Sequence, residues 1–123
     1  MALTTRDLKN TKSIAPFNHE GHAEGTTTND YVNALDLDCI GMHRKTIILK
    51  NTHAANVLKY KLLISAFLHG GLQEEEVAET TLAGVTSAVF KYRQGYARMI
   101  LQVKSSVTDT HATYTADYTM SGI

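Results

Sequence analysis

Hydrophobic residues recur at every second position over most of this chain, and the breaks in that rhythm mark its joints. The alternation is cleanest where Leu58, Tyr60, Leu62, Ile64 and Ala66 fall on one side and Lys59, Lys61 and Ser65 on the other. A period of two is what a pleated strand with one face on a core requires, because successive side chains point to opposite faces. The same test places a strand from Tyr31 to Ile40, with Leu35, Leu37 and Cys39 inward, and another from Ser87 to Tyr92, with Ala88, Phe90 and Tyr92 inward. It places a third from Arg98 to Lys104 on Met99, Leu101 and Val103, and a last one on Ala112, Tyr114, Ala116 and Tyr118. Arg44 to Lys50, with Ile47-Ile48-Leu49 inside it, reads as a short strand buried on both faces. Leu72 to Ala83 is harder: Glu74 to Glu79 has the composition of a helix, but Thr80-Thr81 and the missing apolar stripe predict an edge strand guarded by its glutamates. Turns follow at Asn51–Asn56, His69-Gly70-Gly71, Leu82–Thr86, Arg93-Gln94-Gly95 and Ser105–Thr110.

About seven strands without a helix between them predict an all-β fold, an antiparallel β-sandwich of jelly-roll or immunoglobulin-like type, or a small barrel. Sixteen threonines suit the outer faces of such sheets. Residues 1–30 have a different texture. Their large apolar side chains are few, Met1, Leu3, Leu8, Ile14 and Phe17, and they close on the polar run from Gly21 to Asp30. This predicts an extended N-terminal arm over 1–30 and a sandwich domain over 31–123, with Leu3, Leu8, Ile14 and Phe17 as separate anchors for a partner.

Composition then narrows the partners. The 123 residues fill one domain, and twelve basic side chains balance twelve acidic ones at a pI near 7.0. A neutral chain is a poor match for a phosphate backbone or an anionic membrane, both of which call for a positive excess. No apolar run approaches a membrane span, and the first ten residues lack the layout of a secretion signal, so a soluble protein is expected. Cys39 stands alone, which excludes an internal disulfide and fits manufacture in a reducing cytoplasm.

Candidate chemistry is sparse. His19-Glu20-Gly21-His22 holds two imidazoles and a carboxylate, but not at the spacing that puts two histidines on one helical face, and no metal site is expected. Cys39 lies on an inward face and reads as a structural thiol. Asp36 and Asp38 share an outer face and read as solvated carboxylates. No glycine-rich phosphate loop or tryptophan platform is present, and neither an enzymatic activity nor a cofactor is expected. Charge placement says more. Arg44, Lys45, Lys50, Lys59 and Lys61 form a basic stretch, and Glu74, Glu75, Glu76 and Glu79 an acidic one. This predicts that Lys59 and Lys61 of one copy meet Glu74, Glu75 and Glu76 of another, or of a shell protein, in a ring or lattice.

The segments Thr46-Ile47-Ile48-Leu49-Lys50-Asn51-Thr52 and Asn56-Val57-Leu58-Lys59-Tyr60-Lys61-Leu62-Leu63-Ile64-Ser65, with Thr81-Leu82-Ala83-Gly84 and Tyr96 to Ser105 downstream, resemble small β-sandwich structural proteins of tailed bacteriophages. The likeness spans about residues 44–119 and consists of strand texture and turn residues. It implies a non-enzymatic virion component, foremost a capsid decoration protein, assembled in the host cytoplasm. Its implied partners are the major capsid protein or another virion protein and further copies of itself, with a trimer as one form. The alternative is a receptor- or carbohydrate-binding module of a tail or fibre.

Overall fold

The structure is a computed structural model that describes residues 19–67, 73–93 and 95–122. Eight strands make it up: β1 (His19–Thr26), β2 (Val32–Asp38), β3 (Arg44–Asn51), β4 (Leu58–Ser65), β5 (Glu74–Leu82), β6 (Ser87–Tyr92), β7 (Arg98–Ser105) and β8 (Thr113–Ser121). They form two four-stranded antiparallel sheets, a first in the order β1-β8-β3-β6 and a second in the order β2-β7-β4-β5. Apart from β4 and β5, each strand sits in a different sheet from the next along the chain. Two four-stranded sheets linked in this order make a jelly-roll sandwich, so the all-β sandwich read from the pattern is the fold observed.

The core lies where the alternation put it. Tyr60, Leu62 and Ile64 of β4 stand in register with Val103, Leu101 and Met99 of β7, at the centre of the second sheet. Leu62, Met99, Leu101 and Val103 are wholly buried. Ile47, Leu49, Phe90, Ala112, Tyr114 and Ala116 answer them from the first sheet, and the Phe90 ring meets Tyr60 edge to face at 5.5 Å between centroids. Cys39 is buried among them as expected, and burial pushes its thiol up to about 11. β5 is an edge strand, also as expected.

Three expectations need correcting. The first is the arm. Residues 19–26, inside the stretch read as 1–30, are strand β1, paired residue for residue with β8 from His19↔Met120 to Thr26↔Thr113. The pattern missed β1 because its inward positions are Gly21, Ala23 and Gly25. A β-carbon on Gly21 would come within 2.5 Å of the Tyr118 ring, and one on Gly25 within 2.8 Å of the Tyr114 hydroxyl. Both tyrosines are the direct cross-strand partners of those glycines. The hydrophobic cover of this edge strand is therefore lent by its neighbour, a pairing of glycine with a cross-strand aromatic that leaves no apolar alternation in β1 itself. The proposed anchors Leu3, Leu8, Ile14 and Phe17 lie outside the described residues.

The second correction concerns β3, which is buried on one face only. Lys45, Ile47, Leu49 and Asn51 point inward, while Ile48 is 40% exposed. The third follows from it: Lys45, counted with a basic surface, is inside the sandwich with 1% of its area exposed. Its ammonium lies 5.9 Å from the Tyr96 ring centre, and burial lowers its pKa.

Candidate functional site

With the interior packed, the two outer sheet faces are the broad surfaces on offer. The second sheet carries most of the charges singled out in the sequence. β4 and β5 are joined as a hairpin, so the basic stretch and the acidic stretch become neighbours within one chain. Lys59 Nζ lies 3.0 Å from Glu79 Oε2, and Lys61 Nζ lies 3.7 Å from Glu75 Oε2. The hydrogen bond from Lys59 holds the Glu79 carboxyl below its ordinary pKa. Tyr31 lies over this sheet with Lys61 Nζ 4.5 Å and Lys104 Nζ 5.4 Å from its ring centre. Burial and then the charges of Glu79 and Glu75 push its hydroxyl up to about 12. Further along, Arg98 donates two hydrogen bonds to Asp36, at 2.8 and 2.6 Å, and Gln102 donates to Asn33 at 3.0 Å. The Arg98 bond keeps the Asp36 carboxyl low. The stretch of Lys59 and Lys61 and the stretch of Glu74, Glu75 and Glu76 thus lie on neighbouring strands of one sheet. Lys59 and Lys61 meet acids of their own hairpin, and Glu76 accepts a long hydrogen bond from Tyr96 at 3.4 Å. Glu74 stands at the strand end opposite Ile64.

The outer face of the first sheet is built differently. Reading across the strands, one row runs Glu20, Thr119, Thr46, Lys91, the next His22, Asp117, Ile48, Val89, and the third Glu24, Thr115, Lys50, Ser87. The carboxylates Glu20, Glu24 and Asp117 occupy β1 and β8. The cations Lys50 and Lys91, with Arg44 at the start of β3, occupy β3 and β6. On those same two strands, in the row between Lys91 and Lys50, sit Ile48 and Val89, cross-strand partners that are 40% and 53% exposed, with Asp117 beside Ile48 on β8. His22 is held at the acidic side, its Nδ1 2.5 Å from Asp117 Oδ1 and its Nε2 3.1 Å from Glu24 Oε2. These two carboxylates raise its pKa above the ordinary 6.5. A groove of about 390 Å³ runs over this face between Glu20, His22, Ile48 and Asp117.

The chemistry-bearing residues read from the sequence end up serving the fold. His19 and His22 are an odd number of places apart on one strand, so their imidazoles face opposite ways and do not meet on one ion. Asp36 is tied to Arg98. A serine and histidine that the sequence did not single out do meet: Ser105 Oγ lies 2.7 Å from His111 Nδ1 and 2.8 Å from Thr27 Oγ1, which accepts the Ala112 N–H at 2.9 Å. Ser105 is 2% exposed, so its hydroxyl is out of reach of a substrate and instead locks the β1–β2 and β7–β8 connections together. Asn51 does the same at the other connections of that end. Its amide donates to the carbonyls of Asn56 and Leu82 at 2.8 and 3.0 Å, and its oxygen accepts from the His53 N–H at 3.0 Å. Nothing short-range in the sequence signals either lock, because the partners are up to 85 residues apart.

The fold and these two faces define a jelly-roll module. No family model matches the chain, and no curated protein matches it. Solved structures do. It is similar to a subunit of the Bacillus endospore appendages, described as disulfide-linked pili, at a TM-score of 0.54 and 9% identity, over 86% of this chain and 88% of that one. The Yersinia pseudotuberculosis-derived mitogen matches at 0.56 and 14% identity, over 82% and 85%. PirA matches at 0.51 and 14%, over 83% and 93%. What the three share with this chain is the sandwich.

Proposed function

We propose that this chain is a non-enzymatic structural module of a virion, working as a decoration protein on the outer surface of the shell. The observation that carries the reading is the outer face of the first sheet, where exposed Ile48 and Val89 share β3 and β6 with Lys50 and Lys91 and lie beside the acidic strands β8 and β1. An exposed apolar pair among sorted charges suits contact with another protein surface, the charges setting orientation and the apolar pair contributing buried area. The strand texture shared with phage sandwich proteins supplies the virion setting, and a similar fold in a pilus subunit is compatible with a building-block role. The polar residues described above are engaged in holding strands and loops together, which favours a scaffold over a catalyst. For the receptor- or carbohydrate-binding alternative, an aromatic cluster on the loop tips would be the supporting feature. Among the described residues Phe67 is the exposed aromatic near a strand end, and one ring is not a platform.

The test is to purify whole particles from a producing culture and measure whether this chain co-migrates with the major shell protein. A constant stoichiometry across gradient fractions is expected. A chain that stays wholly in the particle-free fraction overturns the reading.

A further inference from the structure

The charge on the first sheet is sorted by strand, and that sorting has a symmetry consequence. Two copies of one face meet most simply about a two-fold axis lying in the plane between them, where each patch contacts its symmetry mate's complement. Two orientations of that axis are distinct. If it runs across the strands along the His22 row, β1 faces β1 and β6 faces β6, so Glu20 of each copy opposes Glu24 of the other and Lys91 opposes Ser87, which leaves the carboxylates repelling and the lysine unmatched. If it runs along the strands, midway between β8 and β3, β1 of each copy lies over β6 of the other and the rows stay in step. Glu20 then faces Lys91 of the second copy, and Glu24 comes beside Lys50 of the second copy. Every such contact occurs twice.

We infer that the outer face of the first sheet is a self-complementary interface that pairs two copies of this chain about a two-fold axis parallel to β3 and β8, with Glu20–Lys91 contacts on both flanks and Ile48 and Val89 of each copy laid over Asp117 and His22 of the other. The inference rests on the reading above that this face is made for contact, and it names a second copy as the occupant. Charge complementarity is what singles out that occupant, because one face supplies both halves of the match. Packed sheets cross at an angle of about 30°, which the long glutamate and lysine side chains span. Four strands about 4.8 Å apart and eight residues of about 3.3 Å each present roughly 500 Å² per copy. A dimer burying about 1,000 Å² in total stands at the low end for specific interfaces, so pairing is weak in dilute solution and gains from the high local concentration on a particle.

The experiment is sedimentation velocity of the full chain over a concentration series, with two reversals, Glu20→Lys and Lys91→Glu. Wild type is expected to show a concentration-dependent dimer that weakens as salt is raised. Each reversal alone is expected to be monomeric, since like charges then oppose each other on both flanks. An equimolar mixture of the two is expected to dimerise again. On one flank the lysine introduced in the first variant faces the glutamate introduced in the second, and on the other flank the native Lys91 of the first faces the native Glu20 of the second. The mixture also separates loss of contact from loss of fold, since misfolded chains do not rescue each other. A wild type that stays monomeric at millimolar concentration overturns the inference, as does a dimer indifferent to both reversals or a mixture that stays monomeric. A monomeric chain that still co-migrates with particles would overturn the two-fold interface while leaving the decoration reading intact.

Discussion

The outer faces of the two sheets carry similar residues and dispose of them in opposite ways. On the second sheet, charges of opposite sign sit on neighbouring strands and neutralise each other: Lys59 with Glu79, Lys61 with Glu75, Arg98 with Asp36, and Tyr31 laid over two lysines. On the first, the acids gather on β1 and β8 and the bases on β3 and β6, where exposed Ile48 and Val89 lie among the lysines. The difference comes from connectivity. β4 and β5 are consecutive strands that share a sheet, so charge blocks that are close in sequence become partners. The charges of the first sheet come from strands scattered along the chain and are brought together only by the sandwich. A block of charge in a sequence is therefore a poor guide to a charged surface until the strand order is known.

The largest test of this comparison goes beneath both faces. Leu62→Ala and Leu101→Ala, in the core under the second sheet, are expected to cost about 2–5 kcal/mol each in chemical denaturation, since both side chains are wholly buried. Losses no larger than those at surface positions would mean that the inward register has been misassigned. Next comes the edge that supplies the acidic margin of the first face. Gly21→Val places a branched side chain against the Tyr118 ring, and a cost of roughly 1–3 kcal/mol is expected from crowding. Hydrogen exchange should show β1 losing protection before β4 and β7, and uniform protection would show that Tyr118 simply swings aside.

Smaller effects are expected where the second face neutralises itself. In a double-mutant cycle on Lys59→Ala and Glu79→Ala, the two losses should add to within experimental error, because both side chains keep contact with water that screens the pair. A coupling clearly resolved from zero would mark this face as something more than a satisfied surface. The smallest effect is tied to pH. Asp117 and Glu24 raise the His22 pKa above 6.5, so its contribution to stability is full below about pH 6.5 and fades as pH rises through the raised value. The melting temperature of wild type should drift down across that window, and His22→Asn should flatten the drift. Equal slopes in both proteins would place the titration elsewhere.

Much of this molecule was legible from its letters. Alternation at Leu58–Ile64 and Met99–Val103 identified the central strands and their inward faces, because a strand buried on one side must repeat every second residue. The burial of Cys39 followed from the same rule, and the edge character of Glu74–Leu82 from its glutamates and missing apolar stripe. Where the alternation was lent by another strand, the rule failed: β1 shows only glycine and alanine inward, and its cover is the tyrosines of β8. It failed again in β3, where Ile47-Ile48-Leu49 looks buried on both sides and Lys45 looks exposed, though only odd positions face the core. The sequence by itself thus determined seven of the eight strands and the class of fold, since both depend on local periodicity. Which charges neutralise and which remain sorted across an open face was decided by the strand order of the jelly roll, because pairing in a sheet joins residues that no short window of sequence contains.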